Sequence, residues 1–85
     1  MALVLLRAPL SELAGGREHE IEGSTVQEVL ETLADARPAI SGWVLDERRA
    51  IREHINVYVN RQLARGETAV GSTDRVHVLP AITGG

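Results

Sequence analysis

Ser24-Thr25-Val26-Gln27-Glu28-Val29-Leu30-Glu31-Thr32-Leu33-Ala34-Asp35-Ala36-Arg37-Pro38 carries a start signal, a stripe and a stop signal. Ser24 or Thr25 can cap a helix, and Glu28, three residues after Thr25, completes the capping-box pattern. Val26, Val29, Leu30 and Leu33 recur at helical spacing and form a single apolar stripe. Pro38 pushes the residue before it out of the helical region and ends the run. A helix with one apolar stripe needs one apolar surface to lie on, and the rest of the chain supplies strands for it.

Ile55-Asn56-Val57-Tyr58-Val59-Asn60 alternates strictly, with Ile55, Val57 and Val59 on one face and Asn56, Tyr58 and Asn60 on the other. Asn60-Arg61 turns the chain into a short Gln62-Leu63-Ala64. A loop over 65–74 carries two glycines. Arg75-Val76-His77-Val78-Leu79 is the last strand, with Val76 and Val78 facing one way. Near the N-terminus, Ala2 to Leu6 is an apolar run of the kind expected for a strand buried on both faces. Gly15-Gly16 supplies a turn. Arg17 to Glu22 is mostly polar and reads as an exposed edge strand whose charges discourage further pairing. The 39–54 stretch is ambiguous: Ser41-Gly42-Trp43 reads as a loop, with Trp43 anchored on the core, and Asp46 to Glu53 as one or two solvated helical turns. The order strand, strand, helix, loop, strand, short strand, strand predicts a two-layer α+β domain. The first and last strands are expected side by side at the sheet centre, because both are apolar on more than one face.

The 85 residues suffice for one domain with one core. A net charge of -3 and a pI near 5.5 argue against a nucleic-acid binder, which would show a basic stripe. Trp43 and Tyr58 are the only aromatics, too few for stacking on bases. No apolar run approaches the roughly 18 residues of a membrane span. The start, MALVLLRAPL, lacks a basic leader and a small-residue cleavage site, so it reads as a strand and the expected location is cytoplasmic. Cysteine is absent, so no thiolate is available as nucleophile, metal ligand or persulfide carrier. His19, His54 and His77 match no zinc spacing and read as scattered surface residues. Glu18, Glu20 and Glu22 read as an exposed strand face. Gly15-Gly16 is no phosphate loop, since no helix N-terminus follows it. No bound metal or cofactor is expected.

The last stretch, Leu79-Pro80-Ala81-Ile82-Thr83-Gly84-Gly85, ends on a diglycine directly after the final strand. At about 7% glycine usage a chance Gly-Gly terminus is a below-1% event, roughly. Two residues without Cβ let a backbone thread a narrow channel and approach another protein's catalytic groups. Pro80 fixes one φ and is expected to direct the chain away from the sheet. From Ala81 onward the tail can reach roughly 17 Å when extended.

The tail, the INVYVN strand and an N-terminal strand running into Ser11-Glu12-Leu13-Ala14-Gly15 together resemble the MoaD/ThiS/CysO family of ubiquitin-like sulfur carriers. The likeness covers essentially the whole chain, and the tail is most similar to CysO-like carriers. The resemblance implies a ubiquitin-like β-grasp fold: a mixed sheet of four to five strands, one main helix packed across it, a domain over 1–80 and a flexible diglycine tail over 81–85. It implies a carrier acted on by enzymes and not itself an enzyme. A MoeB-, MoeZ- or ThiF-like adenylyltransferase would use ATP to convert the Gly85 carboxylate to an acyl-adenylate. Sulfide or a protein persulfide would then yield a thiocarboxylate for a sulfur-accepting enzyme such as a cysteine synthase. Pro80, Ala81, Ile82, Thr83 and Gly84 would thread the partner's active site. Thr83 stands where the family usually has a smaller residue.

Strand alternation puts Tyr58, His77 and Leu79 opposite the helix-covered face, with Leu63 joining from the short strand. The MoaD-like docking patch maps to Leu79, Leu63 and Arg7, and the charged Arg7 departs from an otherwise apolar position. The implied function is sulfur donation in biosynthesis, with cysteine biosynthesis first. The alternatives are a molybdopterin synthase small subunit, sulfur donation to a thiazole or a thiolated natural product, a ubiquitin-like modifier of lysines, and a plain interaction module.

Overall fold

The computed structural model describes residues 1–80; Ala81, Ile82, Thr83, Gly84 and Gly85, and with them the expected tail, lie outside the described residues. Within 1–80 the elements are β1 (Ala2–Leu6), α1 (Leu10–Leu13), β2 (Glu18–Ile21), α2 (Val26–Ala36), α3 (Pro38–Val44), β3 (Ile55–Val59), β4 (Gln62–Ala64) and β5 (Arg75–Pro80). The five strands form one mixed sheet in the order β2-β1-β5-β3-β4. β1 and β5 run parallel through its centre, and the other pairings are antiparallel.

α2 is built as its sequence dictates. Thr25 Oγ1 accepts from the Glu28 N–H, while Glu28 Oε1 accepts from the Ser24 N–H at 2.9 Å and the Ser24 hydroxyl at 2.8 Å. Both candidate caps are therefore used. The N–H groups of Val26 and Gln27 donate to the carbonyls of Thr68 and Gly66, so the 65–74 loop satisfies the rest of the first turn. Val26, Val29, Leu30 and Leu33 are fully buried against Val4, Leu6, Val57, Val76 and Val78 in one continuous core. Gly23, at φ +154, lets the chain enter α2, because a Cβ there would sit 2.7 Å from the Val29 nitrogen.

Asn60 and Arg61 both have positive φ, at 49° and 74°. They form the two-residue turn whose twist suits the β3–β4 hairpin. The Asn60 side chain donates to Asp74 and accepts from the Arg75 N–H, which ties this turn to the start of β5.

Four expectations are corrected. Ser41-Gly42-Trp43 is not a loop: Pro38 stops α2 and then opens α3, since proline suits the first helical position. Trp43 is not a core anchor, being 47% exposed on α3. Residues 46–50 form a tight turn and not helical turns: the Asp46 carboxylate accepts from the N–H groups of Arg48 and Ala50, and Leu45 and Ile51 bridge across it. β1 is not buried on both faces: Ala2, Val4 and Leu6 are buried, while Leu3 and Leu5 are only half-buried.

Glu28, Asp46 and Asp74 each have a pKa held below the ordinary carboxylate value, chiefly by backbone N–H groups of Ser24, Ala50 and Gly71 respectively. Lowered folded-state pKa values make this contribution complete above the ordinary carboxylate range and progressively lost as pH falls through it. The thermal midpoint should hold steady down to about pH 5 and decline below about pH 4. Glu28→Gln should flatten that decline. Thr25→Ala should cost about 1 kcal/mol at neutral pH, read by urea titration.

Candidate functional site

With α2 covering one face of the sheet, alternation decides what the other face shows. Register places Leu63 of β4 opposite Tyr58 of β3, Tyr58 opposite His77 of β5, His77 beside Leu5 of β1, and Leu5 opposite Glu18 of β2. One row of side chains thus crosses all five strands. Leu79 lies opposite Asn56 in the neighbouring row. Arg7 follows Leu6, whose register partner is Val78, so Arg7 emerges beside Leu79 at the end of β1. Arg7, His77, Leu5, Arg17 and Glu18 line one small cleft.

The five residues expected on this surface, Arg7, Tyr58, Leu63, His77 and Leu79, therefore share one face. Leu63 is 69% exposed, the most open large apolar side chain among the described residues. Tyr58, His77 and Leu79 are half-buried by their neighbours. Sequence reasoning missed Leu3 and Leu5. Their signal was period-two placement within the apolar run, which sets them on the opposite face from Val4 and Leu6.

Pro80 is the last residue of β5, opposite Ile55, and the direction it gives the chain concerns residues outside those described. Its missing N–H costs no ladder bond to β1, whose pairing with β5 ends at Val78. Gly85 and residues 81–84 lie beyond this point, outside the described residues.

The other candidates do not assemble. Among the described residues, no group of three or more His, Asp or Glu side chains could hold a metal ion. His19 faces the core side of β2 with its Nε2 at 3.0 Å from the Gly16 carbonyl oxygen. Glu18 and Glu20 lie on the open face at the β2 edge. No helix among the described residues is long and apolar enough to cross a membrane.

Residues 4–85 match the sequence profile of the ThiS family, a span that takes in Gly84 and Gly85. Small archaeal modifier protein 1 of Haloferax volcanii is 31% identical over 83 residues, covering 94% of this chain and 95% of the relative. The solution structure of small archaeal modifier protein 1 from Methanosarcina acetivorans superposes with a TM-score of 0.88 at 30% identity, covering 99% of this chain and 95% of that one. The crystal structure of the Amycolatopsis orientalis BexX/CysO complex contains a chain with a TM-score of 0.85 at 28% identity, with all of both chains covered. The fold is accordingly the β-grasp of these proteins.

Proposed function

The chain belongs to the ThiS family, and from that premise we propose that its Gly85 carboxylate is the group on which it carries sulfur. The chain is a ubiquitin-like carrier or modifier and not an enzyme. A carboxylate is a poor electrophile, so loading needs activation. An adenylyltransferase of the MoeB, MoeZ or ThiF kind joins the Gly85 oxygen to the α-phosphorus of ATP and releases pyrophosphate. Hydrosulfide then attacks the acyl carbon, the C–S bond forms, and AMP leaves with the carboxylate oxygen. The thiocarboxylate is ionised at neutral pH and nucleophilic at sulfur. The observation that carries this reading is the family match running through Gly85 on a chain whose last described strand ends at Pro80.

Cysteine biosynthesis is the proposed pathway, with an activated serine derivative as acceptor. The leucine-proline-alanine start of the tail and the likeness to the Amycolatopsis CysO support it. That relative's structure is a complex with BexX, which supports a partner enzyme gripping the carrier. A second reading, attachment of Gly85 to lysines of other proteins, is favoured by the name of the Haloferax relative.

The test exploits the absence of cysteine. After incubation with ATP, sulfide and the activating enzyme, a sulfur-selective alkylating reagent should label the chain once. No label, with the enzyme shown to be active, would defeat the proposal.

The open face is the proposed docking surface, since an exposed apolar patch on a small domain marks an interface. Leu63→Glu and Leu79→Glu should each slow loading or transfer at least about tenfold, as buried interface anchors do. Leu63→Glu should leave stability within about 0.5 kcal/mol, because the side chain is already in water. A variant that binds its partner normally would move docking elsewhere, and unfolding by Leu79→Glu would place Leu79 in the core.

A further inference from the structure

All nine basic side chains of this chain are arginines; lysine is absent, as is cysteine. Resting on the reading of Gly85 as an activated acyl group, we propose that the chain is an acyl donor that cannot act as its own acceptor. It does not cyclise, and it offers no side chain on which a second copy could be joined.

The chemistry of an activated glycine sets the problem. A lysine ε-amine near an acyl-adenylate attacks the acyl carbon, the C–N bond forms, the C–O bond to AMP breaks, and the amine gives its proton to water. A thiol would do the same through sulfur. Guanidinium groups do not, because they stay protonated at every physiological pH and offer no lone pair. The hydroxyls of serine and threonine are weak nucleophiles without a base. Among the described residues, no histidine hydrogen-bonds a serine or threonine hydroxyl; His19 is held to the Gly16 carbonyl instead.

In the 85-residue chain the remaining amine is the α-amine of Met1, and the sheet keeps it from the tail of the same molecule. β1 and β5 are parallel, with Leu3 beside Arg75 and Leu6 beside Val78. Met1 therefore lies past the start of β5, while the tail follows its end at Pro80. At about 3.3 Å per strand residue, two residues from Leu3 back to Met1 and five from Arg75 to Pro80 separate the two by roughly 23 Å. The five tail residues reach roughly 17 Å, which falls short. Parallel pairing of the terminal strands is what makes an intramolecular joining impossible. The end of β1 beside β5 carries Arg7, which follows Leu6 opposite Val78 and is charged and unreactive.

The experiment uses the full 85-residue chain with Gly85 converted to a thioester by intein cleavage, so its outcome does not depend on any activating enzyme. The chain is incubated alone at high concentration, and separately with Nα-acetyl-lysine, and followed by intact mass. The expected wild-type result is hydrolysis alone in the first case and a single acetyl-lysine adduct in the second. Arg7→Lys, placed beside the end of β5, should yield cyclised protein lighter by one water than the hydrolysed form. A wild-type cycle, or a dimer joined through any side chain, would overturn the proposal. So would an Arg7→Lys variant as inert as the wild type, since the arginine would then not be what protects the chain. Either result would leave the assignment of Gly85 as the sulfur site standing.

Discussion

Removing Gly85, or adding one residue after it, is expected to abolish loading with sulfur and leave the thermal midpoint unchanged. The first half follows from the chemistry. The acyl group must be a terminal carboxylate, and it must arrive at the adenylating site through a channel that a side chain would block. One residue fewer leaves the carboxylate about 3.5 Å short; one more places an amide where the carboxylate should be. The second half follows from the core. All buried residues among those described lie between Ala2 and Val78, so nothing beyond Pro80 is needed to fill it. A truncated chain that still accepted sulfur would end the C-terminal mechanism. A truncated chain that melted early would show that residues 81–85 pack against the domain.

Leu30→Ala is expected to have the largest effect on stability. Leu30 is at the centre of the α2 stripe, with no exposed surface, against the β-sheet core. Emptying such a site costs about 3 kcal/mol, as lost transfer energy plus a cavity. A domain of this length has only about 4–13 kcal/mol in total. At roughly 4–8 °C per kcal/mol the midpoint should fall by at least about 12 °C, measured by calorimetry. The loaded fraction at 37 °C should fall with it, while the Gly85 variants lose loading with no thermal change. A shift below about 4 °C would mean that the helix does not seat its stripe on the sheet.

Residues whose local signal and tertiary role coincide were legible in the sequence. The α2 cap, stripe and stop all lie within 24–38, and the helix forms there. The strict alternation of Ile55 to Val59 fixed which side chains face α2, and the pairing of the terminal strands followed from their apolar character. Residues 39–54 were opaque because their structure depends on contacts distant in sequence. Pro38 both ends one helix and begins another. Asp46 folds its own turn through two backbone N–H groups, and Arg49 reaches back to Asp35 on α2 at 3.0 Å. A charge-rich run such as 46–53 carries no periodicity that would reveal this.

The open face was legible in the same uneven way. Alternation brought Tyr58, His77 and Leu79 to one face, and the register sets Leu63 of the next strand opposite Tyr58. Leu3 and Leu5 went unrecognised because an unbroken apolar run conceals its own period: five apolar residues in a row read as buried on both sides. Only the sheet, with α2 on one face and none of the described elements covering the other, separates Val4 from Leu5. Trp43 was misjudged for a related reason. An indole usually marks a core, but α3 turns this one outward.

The central claim is that sulfur resides on Gly85, and intact mass with fragmentation tests it most directly. The full chain is incubated with ATP, sulfide and the activating enzyme of the same organism. The expected result is a mass gain equal to the exchange of one oxygen for one sulfur, with every fragment containing Gly85 shifted and every fragment lacking it unchanged. An unaltered mass with a demonstrably active enzyme, or a shift that maps anywhere else in the chain, would contradict it.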